Sequence, residues 1–268
     1  MNADRLQCWI GGVAVIGPGL PGWAASEAIL AGAIPWERRD VVVPAPTLLS
    51  PTERRRTSLT VRLALSAATE ACADVAAPEL LETVFASGNG DGAVVGGILE
   101  ALHDPAGVII SPTQFHNSVH NAAAGYWHIA VRSTAPSISL GCHDYSFGAG
   151  LLAAVTQTVV REGGVLLCAY DVPLPEPLAA VRPTASSFAT AMVLWPEKPA
   201  NVRGMLSVSY VPTAAPGDEP VDGVGALVME NPAARSLPLL RALAMKNTKP
   251  FYISLADDAH LSLQVTPC

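Results

Sequence analysis

The sequence predicts a layered α/β fold in which helices cover both faces of one central sheet. Three observations predict it. Strand-length apolar runs alternate with helix-length segments along residues 13–169. Those runs are almost wholly apolar instead of alternating in polarity, as strands buried on both faces are. The 268 residues are 50% hydrophobic but only 6% aromatic, with 15% charged, so small aliphatic side chains dominate, as in close-packed α/β layers. A chain of this length can bury a large core, as one large domain or two small ones.

Val13-Ala14-Val15-Ile16 reads as the first strand, closed by a tight turn at Gly17-Pro18-Gly19. The GPGLPG turn looks like part of a dinucleotide fingerprint, but its prolines stand where a helix start must offer N–H groups to a phosphate. No acidic residue follows at the required spacing, so no cofactor is expected there. Ser50-Pro51-Thr52-Glu53 has the form of a capping box with proline at the first helical position. It predicts a helix from 50 to about 75, with Leu59, Val61, Leu63, Leu65 and Ala68 on its apolar faces. Arg54, Arg55 and Arg56 would then occupy its first turn, against the dipole's preference, as a solvated helix end or a dock for an acidic partner.

Residues 83–87 read as the second strand, followed by a glycine-rich loop at 88–92 and a helix through 102. Next come a helix at 121–130, a strand at 137–140, a helix at 147–161 and a strand at 165–169. From about 204 the texture changes. Residues 205–211, 251–255 and 260–265 alternate in polarity and read as strands, with a proline-rich linker around 212–223. The expected organisation is a unit over 1–203 and a strand-rich extension over 204–268 packed on the same core, one domain overall.

Sixteen Lys and Arg against 23 Asp and Glu leave a net charge of −7, with no basic run longer than Arg54-Arg55-Arg56. That balance argues against nucleic acid as a partner. The five cysteines (Cys8, Cys72, Cys142, Cys168 and Cys268) form no CxxC pair, which favours reduced thiols in the cytoplasm over a disulfide framework or a zinc site. Residues 6–26 are uncharged, but their glycines and prolines would break a spanning helix, and no signal-peptide pattern is visible. Neither membrane insertion nor export is expected.

The stretch SISLGCHDYSFGAG, residues 137–150, carries the chemical question. A thiol between a strand and a helix is where several enzyme families place a nucleophile. Cys142 and Ser146 are therefore candidates, with His143 or His120 as a base. Cys142-His143-Asp144 is not itself a triad, because neighbouring side chains on a strand point to opposite faces.

The segment SPTQFHNSVHNAAAGYWHIAVRSTAPSISL resembles the one leading into the active site of β-ketoacyl synthases. In that family a Ser-Pro opening, an Asn, a Gly four residues later and a Pro-Ser before an apolar strand recur in order. Here they are Ser111-Pro112, Asn121, Gly125 and Pro136-Ser137. GLLAAVTQTVVREGGVLLCAYD, VAVIGPGLPGWAASEAILAG and SSFATAMVLWPE are similar to the helix after the nucleophile with its following strand, the first strand with its turn, and a later small-residue strand. The resemblance spans roughly residues 8–200. It implies a thiolase-like (ketosynthase) layered fold whose second half is truncated.

Two departures bear on activity. In the ungapped register the family's nucleophilic cysteine falls on Asp144, with Cys142 two residues early; a short gap would bring Tyr145 or Ser146 there instead. A carboxylate is a poor acceptor of an acyl chain from a thioester, because the anhydride formed is less stable than the thioester. The family also takes two histidines from Gly/Thr-rich loops of its C-terminal half, whereas the only histidine here after 143 is His260, in DDAHLSL. Cys142 is then expected to be a small buried residue.

By resemblance, the chain is expected to act as a non-catalytic, chain-length-factor-like partner of a full-length ketosynthase in a bacterial type II polyketide pathway of the aryl polyene kind. It would meet an acyl carrier protein through that complex. The family's interface pairs the strands preceding the nucleophile, so a lone subunit would expose an apolar edge. The loop before the Asn121 helix would cross this interface and line the partner's acyl pocket with Thr113, Gln114, Phe115 and His116. Phe115 or Gln114 would be the floor; the other placement is Phe115 in the chain's own core. His116, His120 and His128 invite a metal reading, but no HExxH glutamate accompanies them, and none is expected. Tyr126, Trp127 and Asp171 read as structural. The rival class is a stand-alone acyltransferase or hydrolase using Cys142 or Ser146.

Overall fold

A computed structural model describes residues 5–103, 105, 110–216 and 223–268. In chain order the elements are β1 (Leu6–Ile16), α1 (Trp23–Leu30), α2 (Pro51–Arg56), α3 (Leu59–Ala71), β2 (Glu82–Ala86), α4 (Gly92–Leu102), α5 (Pro112–Ser118), α6 (Ala122–Val131), β3 (Ser137–Leu140) and α7 (Ser146–Arg161). They continue with β4 (Val165–Asp171), α8 (Leu178–Val181), β5 (Phe188–Trp195), β6 (Gly204–Val211), α9 (Leu237–Ala244), β7 (Phe251–Ala256) and β8 (Ala259–Thr266).

The strands form one eight-stranded sheet in the order β3-β2-β4-β5-β1-β6-β8-β7. β2 runs parallel to β3 and β4, and the remaining pairs are antiparallel. The apolar strands are explained by what covers them. All seven residues of β4 are buried. Val165, Leu167 and Ala169 face a core containing Phe147 and Leu151 of α7, while Leu166, Cys168 and Tyr170 face a second core with Leu63, Leu65 and Trp127. Full burial of an aliphatic side chain such as Leu63 or Leu151 is worth about 1.5–3 kcal/mol. In β6 and β8, Leu206, Val208, Leu261, Leu263 and Val265 join only the first core, which accounts for their alternating pattern.

α3 lies very close to β1. At Gly12, within a bulge where the β1–β5 register shifts, an added Cβ would sit 1.7 Å from the Ala71 carbonyl oxygen. Only glycine permits that approach.

The helix expected over 50–75 is in fact two. Ser50 Oγ accepts the Glu53 N–H at 3.3 Å and starts α2, but Thr57 is extended, and Ser58 Oγ caps α3 by accepting the Val61 N–H at 3.2 Å. Arg54, Arg55 and Arg56 thus close a helix rather than open one, the end at which the dipole favours cations. Residues 113–116, expected in a loop, belong to α5. Ser111 and Gln114 form its reciprocal capping box, each side chain bonded to the other's backbone N–H at 3.1 Å. The strand-rich C-terminal region also holds α9 and 3₁₀ turns at Gly223–Met229 and Pro232–Ser236, between the expected linker and the strand expected at 251–255, where the sequence reading named no element. Residues 217–222 of that linker lie outside the described residues. None of the helices described is long and apolar enough to cross a membrane.

Candidate functional site

Among the described residues β3 is an edge strand, so the turn that follows it has no neighbouring strand beyond it. Gly141, Cys142 and His143 are all exposed, and the Cys142 thiol is free. This corrects the expectation of a buried Cys142: the apolar run leads into the turn, but the turn sits outside both cores. His143 adopts a left-handed conformation (φ 52°), which costs a non-glycine residue on the order of 1 kcal/mol. Ser146 sustains it. The Ser146 hydroxyl accepts the Cys142 N–H at 2.9 Å and donates to the His143 carbonyl at 2.7 Å. Ser146 is therefore buried and engaged in both roles, which leaves it poorly placed as a nucleophile. Among the described residues, no imidazole hydrogen-bonds the Cys142 sulfur.

Asp144, which the ungapped register expects at the nucleophile position, is contacted by two arginines from distant segments. Arg182 donates from one terminal nitrogen to Asp144 Oδ1 at 3.0 Å, from Nε to Asn89 Oδ1 at 2.5 Å, and also contacts the His143 ring. Arg235 approaches Asp144 Oδ2 at 3.6 Å and lies over the Tyr145 ring. Tyr145 in turn donates its hydroxyl to Asp257. A cleft of about 270 Å³ opens here, lined in part by His143, Asp144, Arg182, Glu230 and Arg235. The sequence reading missed both arginines. Their only signal is a lone cation in an apolar stretch, Val181-Arg182-Pro183 and Ala234-Arg235-Ser236.

Behind the clamp sits Asp171, fully buried at the end of β4. It accepts from the Ser87 hydroxyl at 2.8 Å and from the Gly88 and Asn89 N–H groups at 3.2 and 2.8 Å. Burial pushes its carboxyl up to about 6, against the opposing pull of these hydrogen bonds and of Arg182. Asp171 thereby fixes the loop that presents Asn89 to Arg182. Gly88 makes room: an added Cβ would lie 2.7 Å from the His143 carbonyl oxygen.

The residues expected at an interface lie in α5 and at the start of α6. Phe115 is 67% exposed, which removes the placement in this chain's own core. Gln114 is also exposed, with its side-chain oxygen engaged in the α5 cap. Thr113 and His116 border a smaller cleft with Glu53 and Arg56, and His116 packs edge-on against Tyr126 at 5.3 Å. Asn121 precedes α6 without a side-chain cap bond. His116 lies within α5 and His120 beyond its end, so they share no helix face. Among the described residues no three His, Cys, Asp or Glu side chains group as a metal site requires. His260 is buried in β8 with its Nδ1 at 2.7 Å from the Thr213 carbonyl, and it does not line the Asp144 cleft.

Comparison with known proteins bears on this arrangement. Residues 27–248 match the family described as β-ketoacyl synthase, N-terminal domain. No curated protein matches the chain. Among solved structures, it is similar to a chain of the ketosynthase ApeO in complex with its chain length factor ApeC from Xenorhabdus doucetiae, at 22% identity and TM-score 0.73, covering 97% of this chain and 99% of that one. It is also similar to the ishigamide ketosynthase/chain length factor, at 15% identity and TM-score 0.71, with 99% of each chain covered. A third is AntDE:AntF, a type II polyketide acyl carrier protein in complex with its ketosynthase, at 14% identity and TM-score 0.73, covering 98% of this chain and 100% of that one. The fold is thus thiolase-like, and with more than half of its length matched, the chain belongs to the β-ketoacyl synthase N-terminal domain family.

Proposed function

We propose that this chain is a non-catalytic, chain-length-factor-like partner of an active ketosynthase, working in the cytoplasm in a type II polyketide pathway of the aryl polyene kind. The observation that carries the reading is the Asp144 clamp. If the ungapped register holds, the nucleophile's place is taken by a carboxylate paired with Arg182 and Arg235, a group unsuited to accepting an acyl chain from a thioester. Two of the similar structures are, by their names, complexes of a ketosynthase with a chain length factor, which supports a heterodimer.

In this reading β3 is the pairing edge. Among the described residues it is unpaired on its outer side, and Ile138 is 38% exposed. Phe115, which projects into solvent from the neighbouring α5, forms the end wall of the partner's acyl tunnel. Arg54 and Arg55 at the end of α2 offer charge to an acyl carrier protein. Residues 1–203 form the ketosynthase-like half and 204–268 its extension. Co-expression with a ketosynthase encoded beside it tests the proposal: a stable complex that condenses acyl chains is expected, whereas a chain that never co-purifies with such a partner refutes it.

Exposure of Cys142 favours one second reading, a stand-alone acyltransferase. Stoichiometric labelling of Cys142 by an acyl thioester in the lone chain would establish it, and none is expected.

A further inference from the structure

The cleft beside Asp144 contains a guanidinium that is ion-paired at a distance but, among the described residues, hydrogen-bonded to no carboxylate. Each of the three guanidinium nitrogens of Arg182 already has a partner, in Asn89, His143 and Asp144. Glu230, also in the cleft wall, is taken by Arg38 through two bonds of 2.8 and 2.7 Å. Asp257 holds the Tyr145 hydroxyl, and Asp171 lies behind the wall with three donors of its own. Arg235 remains. Its 3.6 Å approach to Asp144 is beyond hydrogen-bond length, its other contact is the Tyr145 ring, and among the described residues it donates no hydrogen bond. A guanidinium carries five N–H donors in a planar fork suited to carboxylate and phosphate. The Arg235 side chain is only 27% exposed, and it lines the cleft of about 270 Å³. Exposed Val181 and Met229 add an apolar rim to the same opening.

We infer that this cleft binds an anionic head group, a carboxylate or a phosphate, carried on an apolar stem, with Arg235 as its main partner. The stem lies along Val181 and Met229. Asp144 is the internal competitor: its negative charge stands beside the same guanidinium and holds the affinity down. The inference uses only this chain's side chains and does not rest on the partner role proposed above.

Ligand-observed NMR titration of the full chain at fixed ionic strength tests it. Hexanoate and hexyl phosphate serve as probes, and hexan-1-ol as the uncharged control. Binding of either anion without the alcohol is expected, and which one binds more tightly identifies the head group. Arg235→Met is expected to weaken binding by about tenfold or more, the worth of a lost charged hydrogen bond. Asp144→Asn is expected to tighten it several-fold, and that sign distinguishes competition from a merely structural carboxylate. A thermal melt establishes that each variant is folded, with Arg235→Gln as the second neutral replacement should methionine fail. Binding of the alcohol as tight as that of the anions, an affinity untouched by loss of Arg235, or weaker binding to Asp144→Asn would each overturn the inference.

Discussion

Replacing Arg182 with alanine is expected to lower the melting temperature by roughly 6–12 °C, and the structure sets that size. The Arg182 side chain is 18% exposed, whereas Asp144 is 39% exposed, so their ion pair is partly screened and contributes at most about 1 kcal/mol. The bond to Asn89 runs from a charged donor to a neutral amide, and a hydrogen bond from a charged donor contributes about 1.5–3 kcal/mol. Together they make about 3 kcal/mol, and in a chain of this size each kcal/mol moves the midpoint by about 2–4 °C. Scanning calorimetry reads the shift. Double-mutant cycles with Asn89→Ala and Asp144→Ala separate the two contacts, and the coupling to Asn89 should be the larger. A midpoint within about 1 °C of wild type, as for an ordinary surface substitution, or a larger coupling to Asp144, would refute the reasoning.

Three further outcomes are expected. Because burial raises the Asp171 carboxyl from 3.8 to about 6, the folded state holds a proton that the unfolded chain has released across that interval. The stability linked to it is complete below about pH 4, is lost as pH rises through about 6, and is on the order of 3 kcal/mol; the difference between wild-type and Asp171→Asn stability curves should show that fall. Gly12→Ala should cost more than about 3 kcal/mol or prevent folding, since its Cβ meets the Ala71 carbonyl; a near-normal urea midpoint would contradict the packing of α3 on β1. Phe115→Ala should leave stability within about 0.5 kcal/mol, given its exposure, yet lengthen the products of the reconstituted complex. Mass spectrometry of carrier-bound intermediates with an unaltered length distribution would remove α5 from the tunnel.

Where the signal was local, the sequence was legible. β3 and α7 were readable because an apolar four-residue run meets a glycine turn and then a small-residue helical pattern. β4 was readable because helices on both faces leave its residues 165–169 wholly apolar. The break at Thr57 was hidden by the sound capping signal at Ser50, which obscured a second cap at Ser58. The SPTQ box at 111–114 carried the same signature and still was read as a loop, because the helix it opens is only seven residues long. Exposure of Cys142 depends on β3 being at the sheet edge, a property of strand order that no run of residues encodes. Arg182 and Arg235 were illegible for a related reason: each acquires meaning only when α8 and the turn before α9 are folded against the β3–α7 junction.

The central claim is that this chain contributes shape and contacts while the covalent chemistry belongs to its partner. The most direct measurement is the condensation rate of the reconstituted complex carrying Cys142→Ala. The account predicts a rate within a few-fold of wild type, because among the described residues no imidazole hydrogen-bonds the exposed thiol, and because the ungapped register proposed here puts Asp144 at the nucleophile position. Loss of a true nucleophile costs several orders of magnitude, so a fall of more than about a hundredfold in an intact complex would contradict it.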